Sequence, residues 1–200
     1  MMKRTLTRLI LPALAMTFVV VASNILVQYP FEPLGLGDYL TWGAFTYPVA
    51  FLVTDLTNRR YGAGMARRLV AVGFVIAVAL SIWLATPRIA LASGTAFLVG
   101  QLLDITVFNR FRRQSWWRAP LIGSVLGSVI DTALFFSIAF AGDVEMSGPV
   151  DFMGLSLPLW QSLAICDFLV KMLLALLALV PYGALLRAIR PLEQAEKAAA

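Results

Sequence analysis

Long apolar runs alternate with short polar segments along the whole chain. An α-helix needs about 20 mostly apolar residues to cross the hydrocarbon core of a membrane, and six runs approach or exceed that length. The pattern predicts spans over residues 9–27, 39–57, 69–85, 89–109, 120–142 and 158–186. The last run is long enough to tilt or to extend past the lipid. We therefore expect an all-α membrane protein with six transmembrane helices in a single domain, residues 1–200.

Composition supports a lipid environment. Hydrophobic residues make up 60% of the chain, charged residues make up 14%, and the mean hydropathy is +0.83. Soluble domains are about 45–50% apolar and about 25% charged, so one core of this length cannot bury the excess. The net charge of +5 does not indicate a nucleic-acid partner, because the basic residues lie in clusters between apolar runs and form no single stripe.

The basic clusters predict the orientation in the membrane. They hold 14 of the 16 lysines and arginines, and six spans place all four clusters on one side: Lys3, Arg4 and Arg8; Arg59, Arg60, Arg67 and Arg68; Arg110, Arg112, Arg113 and Arg118; Arg187, Arg190 and Lys197. The positive-inside rule then places both termini in the cytoplasm, and Arg88 lies on the opposite side. The first apolar run is longer than that of a signal peptide, so we expect it to remain as a span.

Five charged residues lie inside the predicted spans: Asp55, Asp104, Asp131, Asp167 and Lys171. Each costs at least ~2.5 kcal/mol near the bilayer centre, so such groups face a bundle interior or a water-filled cavity and usually mark a substrate or ion path. Four carboxylates and one lysine cannot all be ionised in a dry interior. Some must be protonated, paired, or facing water or a cation.

Asp131 is the strongest candidate for a functional residue. It lies about 16 Å into the fifth predicted span, near the midplane. Gly123 and Gly127 precede it at four-residue intervals, so all three share one helix face. The GxxxG spacing lets another helix approach closely, within one chain or between two, but packing of the glycines does not explain a carboxylate on the same face.

The other charged candidates occur in pairs at helical spacing. Asp167 and Lys171 are four residues apart and can touch, as a binding site or as a structural ion pair. Gln101 and Asp104 share a face of the fourth span, although Asp104 also suits a position near the cytoplasmic interface.

The second span carries a further polar pair. Asp55 and Asn58 lie near its inner end, where a local salt bridge from Asp55 to Arg59 is the alternative. Pro48 removes one backbone hydrogen bond and can break this span, as in helices that line transporter cavities. In the first span Asn24 is either a site residue or a hydrogen-bonding link between helices.

Several segments in order resemble the queuosine precursor transporter family, a branch of the vitamin uptake transporters. They are ASNILVQ (22–28), TWGAFTYP (41–48), FLVTDLTNRRYG (51–62), GQLLDITVFNR (100–110), the Trp116–Trp117 pair and GSVIDT (127–132). The resemblance covers nearly all of residues 20–182. It implies uptake of 7-cyano- or 7-aminomethyl-7-deazaguanine across the cell inner membrane, and a fold similar to the substrate-binding subunit of energy-coupling-factor transporters.

The substrate implied by this resemblance has a chemistry that the candidates can match. A deazaguanine presents ring N–H and amino donors that a carboxylate accepts, and a carbonyl to which an amide can donate. An aminomethyl arm would be cationic and would favour a second carboxylate. We expect Asp131 and Gln101 to contact the base. The remaining candidates rank second: Asp55, Asn58, Asp104, Asn24, Lys171 and Asp167.

The energy source stays open at this point. A stand-alone secondary transporter, with protons as the possible coupling ion, is the leading hypothesis. The alternative is a binding subunit that requires an ATP-driven complex, since the chain has no GxxxxGK[ST] motif of its own. The expected partners are the substrate and the bilayer, and a second copy of the chain stays open as an alternative. The chain has no histidine, which removes HExxH zinc sites and Ser–His dyads; we expect no enzyme, metal or cofactor.

Overall fold

Helices make up most of the protein in the computed structural model, which describes residues 2–186, with side chains described from residue 9. The helices and strands, numbered here in chain order, are α1 (Met2–Leu26), α2 (Trp42–Thr46), α3 (Val49–Tyr61), α4 (Ala63–Leu84), α5 (Pro87–Phe111), α6 (Arg118–Phe140), β1 (Pro149–Phe152), β2 (Leu155–Pro158) and α7 (Leu159–Leu185). Arg187, Arg190 and Lys197, used above for the orientation, lie outside the described residues.

Five helices of the described chain are long and apolar enough to cross a membrane. They are α1 from Leu9 onward, α4, α5, α6 and α7. This confirms the predicted class of helical membrane protein. The second predicted span, residues 39–57, is divided between α2 and α3, and neither part has that length alone. A count of six spans therefore stays a prediction.

The break between α2 and α3 lies at Pro48. Proline has no N–H with which to continue the helical hydrogen-bond ladder. Tyr47 and Pro48 nevertheless keep right-handed helical backbone angles, and the amide of Tyr47 donates to the carbonyl of Gly43 at 2.9 Å. The chain thus passes from α2 into α3 through a local break and not through a reversing turn.

Glycines bring α5 and α6 close together. A Cβ on Gly100 would lie 3.0 Å from the Cβ of Asp131 and 3.2 Å from the carbonyl oxygen of Gly127. A Cβ on Gly123 would overlap the carboxyl of Asp104. The Gly123–Gly127 pair therefore packs against α5 of the same chain, and this close approach sets two carboxylates beside the helix contact.

The apolar core lies mainly between α1, α4 and α5. Its fully buried members include Met16, Leu69, Val70, Phe97 and Ile105. Between the end of α6 and the start of α7, β1 and β2 form an antiparallel hairpin that the apolar pattern did not predict. This hairpin contacts the loop between α1 and α2, where the rings of Tyr39 and Phe152 are 5.8 Å apart.

Arg88 has a structural role at the end of α6. Its Nε donates to the carbonyl oxygen of Ile138 at 2.8 Å, and its Nη2 donates to that of Ala141 at 2.5 Å. Carbonyls at the end of a helix have no intrahelical partner, and a cation there also meets the negative end of the helix dipole. Arg88 therefore caps the end of α6, which explains a basic residue outside the four clusters.

Candidate functional site

Two groups of buried and half-buried polar side chains lie within the bundle. The first, here called the lysine cluster, consists of Tyr47, Asp131, Thr132, Asp167 and Lys171. The second, here called the amide cluster, consists of Thr54, Asp55, Asn58, Gln101 and Asp104. Seven of these residues are site candidates from the sequence, and the structure brings them together in these two groups.

Lys171 is the centre of the lysine cluster. Its Nζ lies 2.7 Å from Oδ2 of Asp131, 2.5 Å from Oδ2 of Asp167 and 2.9 Å from Oγ1 of Thr132. The ammonium group thus makes three bonds, one for each of its protons. The four-residue spacing on α7 brings Asp167 to Lys171, as predicted, whereas Asp131 and Thr132 come from α6.

Two hydroxyl groups complete the cluster. Oη of Tyr47 donates to Oδ1 of Asp131 at 3.0 Å, and Oγ1 of Thr132 donates to Oδ2 of Asp167 at 2.9 Å. The side chains of Lys171 and Asp131 are only 5% and 3% exposed. Buried ion pairs require such added hydrogen bonds to offset the loss of hydration. The break beside Pro48 is therefore tied to both α6 and α7 through Asp131.

The amide cluster is bonded quite differently. Thr54 donates from Oγ1 to Oε1 of Gln101 at 2.6 Å. Six other buried atoms of the amide cluster have no hydrogen-bond partner within the described part of the chain. They are Oδ1 of Asp55, Nδ2 and Oδ1 of Asn58, Nε2 of Gln101, and both carboxyl oxygens of Asp104. All five side chains are buried. Each unpaired group of this kind costs about 1–3 kcal/mol, and native proteins contain few of them.

The carboxyl groups of Asp55 and Asp104 lie within hydrogen-bonding reach of each other. Ionised carboxylates only accept hydrogen bonds, so a proton, a cation or ligand N–H groups must join the two. The salt bridge that the sequence offered as an alternative does not form in residues 9–186. Arg59 donates instead to the carbonyl oxygen of Arg112 at 3.0 Å.

A cleft between α3, α6 and α7 connects the two clusters. It is lined by Asp55 of the amide cluster and Lys171 of the lysine cluster, with Phe51, Ser128 and Tyr182 among the residues around them. The cleft has a volume of ≈ 350 Å³ with its open mouth included, but its side chains leave room for only about one water molecule. A flat bicyclic ligand would require these helices to move apart.

Asn24 lies in neither cluster. Its Oδ1 accepts a hydrogen bond from Oγ of Ser81 at 3.0 Å, and its Nδ2 donates to the carbonyl of Val20 at 2.9 Å. This bond links α1 to α4, in line with the alternative that Asn24 joins two helices.

The sequence did not single out Thr54, Thr132 or Tyr182, although all three stand beside the candidates. Tyr182 places a buried hydroxyl without a partner among residues 9–186 at the far end of the cleft. Sequence position offered a signal for two of them: Thr54 lies four residues before Asn58, and Thr132 directly follows Asp131. Tyr182 looks like an ordinary residue of an apolar run.

Comparison with known proteins adds independent information. The family described as "Putative vitamin uptake transporter" matches residues 41–86 and 81–185. A protein of Escherichia coli named "Queuosine precursor transporter" is 38% identical over 190 residues, which cover 84% of this chain and 81% of that relative. A Haemophilus influenzae protein named "Probable queuosine precursor transporter" is 38% identical over 204 residues, 86% of this chain and 83% of its own. No solved structure matches.

Proposed function

We propose, from the premise that this chain belongs to the vitamin uptake transporter family, that it takes up a queuosine precursor across the cell inner membrane. The family is one of transporters and not of enzymes. The substrates proposed are 7-cyano-7-deazaguanine, 7-aminomethyl-7-deazaguanine or both. The names of the two relatives at 38% identity support this substrate class.

The unpaired atoms of the amide cluster carry the proposal. Four of the six are carboxylate or amide oxygens that accept hydrogen bonds, and two are amide nitrogens that donate. The pyrimidine edge of a deazaguanine offers a complementary set, because its ring N–H and amino group donate side by side and its carbonyl accepts. Asp104, with both oxygens unpaired, suits the two donors. Gln101 and Asn58 suit the carbonyl.

Asp131, Asp167 and Lys171 complete the proposed site, with Lys171 lining the cleft and both carboxylates bonded to it. Asp131 is bonded to Lys171 and Tyr47 in this conformation, so a contact with substrate would rearrange those bonds. Asn24 is omitted from the proposed site because both ends of its amide are used near Ser81 and Val20. The discrimination expected of such a site is sharp, since a wrong ligand leaves buried polar groups unpaired.

The proposed architecture has six spans in a single domain over residues 1–200. Together α2 and α3 extend over residues 42–61, and 20 helical residues rise about 30 Å, the thickness of the hydrocarbon core. Counting them as one broken span keeps the basic clusters on one side, with both termini in the cytoplasm. A resemblance to substrate-binding subunits of energy-coupling-factor transporters belongs to the same proposal.

The proposed mode is that of a stand-alone secondary transporter. The facing carboxyls of Asp55 and Asp104 support proton coupling, because a proton between them can be exchanged for the N–H groups of a substrate. A binding subunit that depends on an ATP-driven complex is the alternative. Purified protein in liposomes separates the two, since only a secondary transporter accumulates the base when a pH gradient is the sole energy source.

Rescue of queuosine in tRNA tests the function itself. The host is a strain that neither makes nor imports the precursor. It is supplied with the cyano base and expresses this chain. We expect queuosine to return with the wild-type chain and with Asp38→Asn, a matched carboxylate on the outer loop that is exposed. Asp104→Asn replaces an acceptor by a donor at the proposed site. We expect the concentration of cyano base needed for rescue to rise about tenfold to a hundredfold. No rescue by the wild-type chain at any supplied concentration overturns the proposal.

A further inference from the structure

The lysine cluster carries one more negative than positive charge. Two carboxylates, those of Asp131 and Asp167, share the single ammonium group of Lys171. The described side chains that contact this group add only the neutral hydroxyls of Tyr47 and Thr132. A buried site with an excess negative charge is stabilised by any ligand that brings one positive charge to it.

One oxygen in the cluster is available for such a ligand. Both described bonds to Asp167, from Lys171 and from Thr132, end at its Oδ2, which leaves Oδ1 without a protein partner among residues 9–186. Asp131, in contrast, uses both of its oxygens. Asp167 is also the more exposed of the two carboxylates, at 16% against 3%. The unoccupied acceptor is thus on the more accessible carboxylate.

A second observation is that both clusters adjoin one cleft. Lys171 lines the same cleft as Asp55, whose buried Oδ1 has no partner among the described residues. A ligand whose pyrimidine edge is bound by the amide cluster therefore lies beside the lysine cluster once the helices have moved apart to admit it. In a deazaguanine the 7-substituent projects from the five-membered ring, on the edge next to the carbonyl, and this arm is the part of the ligand free to extend toward the lysine cluster.

We infer that Oδ1 of Asp167 binds a primary ammonium group on the substrate, so that the lysine cluster selects the aminomethyl base over neutral 7-substituted bases. This inference rests on the proposed function. Lys171 remains bonded to Asp131 and Thr132, while the substrate ammonium balances the second carboxylate. Two ammonium groups and two carboxylates then alternate, and the cluster becomes neutral. Asp167 is the specificity-determining residue in this arrangement.

Binding measurements on the purified full-length protein test the inference. Dissociation constants are measured for the aminomethyl, hydroxymethyl and cyano forms of 7-deazaguanine; the hydroxymethyl arm has almost the shape of the aminomethyl arm without its charge. We expect wild-type protein to bind the aminomethyl base at least about tenfold more tightly than the hydroxymethyl base, as for one buried charge-assisted hydrogen bond. This comparison needs no variant, so it remains decisive even if a substitution prevents folding.

Two variants separate charge from structure. Asp167→Asn keeps an oxygen that accepts from Lys171 and Thr132 but removes the excess charge, so we expect the preference for the aminomethyl base to fall about tenfold. The affinity for the cyano base falls by a smaller factor, because its arm carries no positive charge. Thr132→Val removes the bond that its hydroxyl donates to Oδ2 of Asp167 and the bond that it accepts from Lys171, without changing charge, and we expect it to keep the preference.

The outcomes distinguish the two proposals. Equal wild-type affinities for the aminomethyl and hydroxymethyl bases overturn the role of Asp167 and leave the proposed function standing. The role of Asp167 is also overturned if Asp167→Asn keeps the wild-type preference, or if it weakens the binding of all three bases by the same factor. Wild-type protein that binds none of the three bases removes the proposed function, and this inference with it.

Discussion

The contact between Gly123 and Asp104 connects helix packing to substrate binding. A Cβ at position 123 would overlap the Oδ1 of Asp104 and lie 3.3 Å from its backbone carbonyl. The carboxylate ends a short rotatable side chain, so in Gly123→Ala it can turn away by roughly an ångström while the backbone of α5 stays in place. The substitution therefore moves the proposed substrate acceptor more than it moves the fold.

Two terms set the expected stability of Gly123→Ala. Alanine gains about 1 kcal/mol over glycine inside a helix, and crowding at a packed site costs about 1–3 kcal/mol. The free energy of unfolding should then fall by about 0–2 kcal/mol. Gly127→Ala should destabilise the protein more, because its Cβ would meet the ring of Phe51 at 2.7 Å and the backbone carbonyl of Gly100 at 3.1 Å. A backbone carbonyl cannot rotate away, so α5 and α6 must separate.

The assay combines thermal unfolding with binding of the cyano base, which reports on the amide cluster without a charged arm. We expect Gly123→Ala to weaken binding about tenfold with a small change in melting temperature. Gly127→Ala lowers the melting temperature more. Gly64→Ala is the matched control, since a Cβ there meets nothing within 4 Å; it should leave binding unchanged and should raise the melting temperature slightly, because alanine is favoured over glycine in a helix. Wild-type affinity in Gly123→Ala would refute the placement of Asp104 at the substrate edge.

Three further predictions concern single contacts. Ser81→Ala removes the bond to Asn24 and should lower the unfolding free energy by about 0.6–1 kcal/mol without reducing uptake; a loss of uptake at normal expression would return Asn24 to the site. Arg88→Ala uncaps α6 and should cost about 1 kcal/mol in chemical unfolding, whereas an unchanged midpoint would contradict the capping role. Tyr47→Phe keeps the ring but removes the bond to Asp131, and we expect the unfolding free energy to fall by about 1 kcal/mol, measured against Tyr39→Phe on the loop between α1 and α2.

Much of the local arrangement follows from helical spacing. Asp167 and Lys171 are four residues apart and form the predicted contact. Pro48 breaks its helix because it has no N–H. The two glycines of α6 pack against another helix, as GxxxG pairs do. Each of these results needs only the geometry of one helix and the chemistry of its side chains.

The pairing between helices does not follow from that spacing. Residues 131 and 171 are brought into an ion pair by the contact of α6 with α7, and Thr54 reaches Gln101 because α3 lies beside α5. The sequence ranked Asp131 first, yet among residues 9–186 the carboxylate oxygens without a hydrogen-bond partner lie on Asp55, Asp104 and Asp167. A helical pattern shows which residues share a face but not which neighbour covers that face.

Hydropathy was sufficient to predict a helical membrane protein with carboxylates held away from lipid, because the cost of burying charge and backbone polar groups in hydrocarbon depends on composition and length alone. The division of those carboxylates between a cluster joined by Lys171 and a cluster with several unpaired buried atoms arises only in the folded bundle. Bonds between side chains form over about 3 Å, and only the packing of α3, α5, α6 and α7 brings residues so distant in the chain within that range.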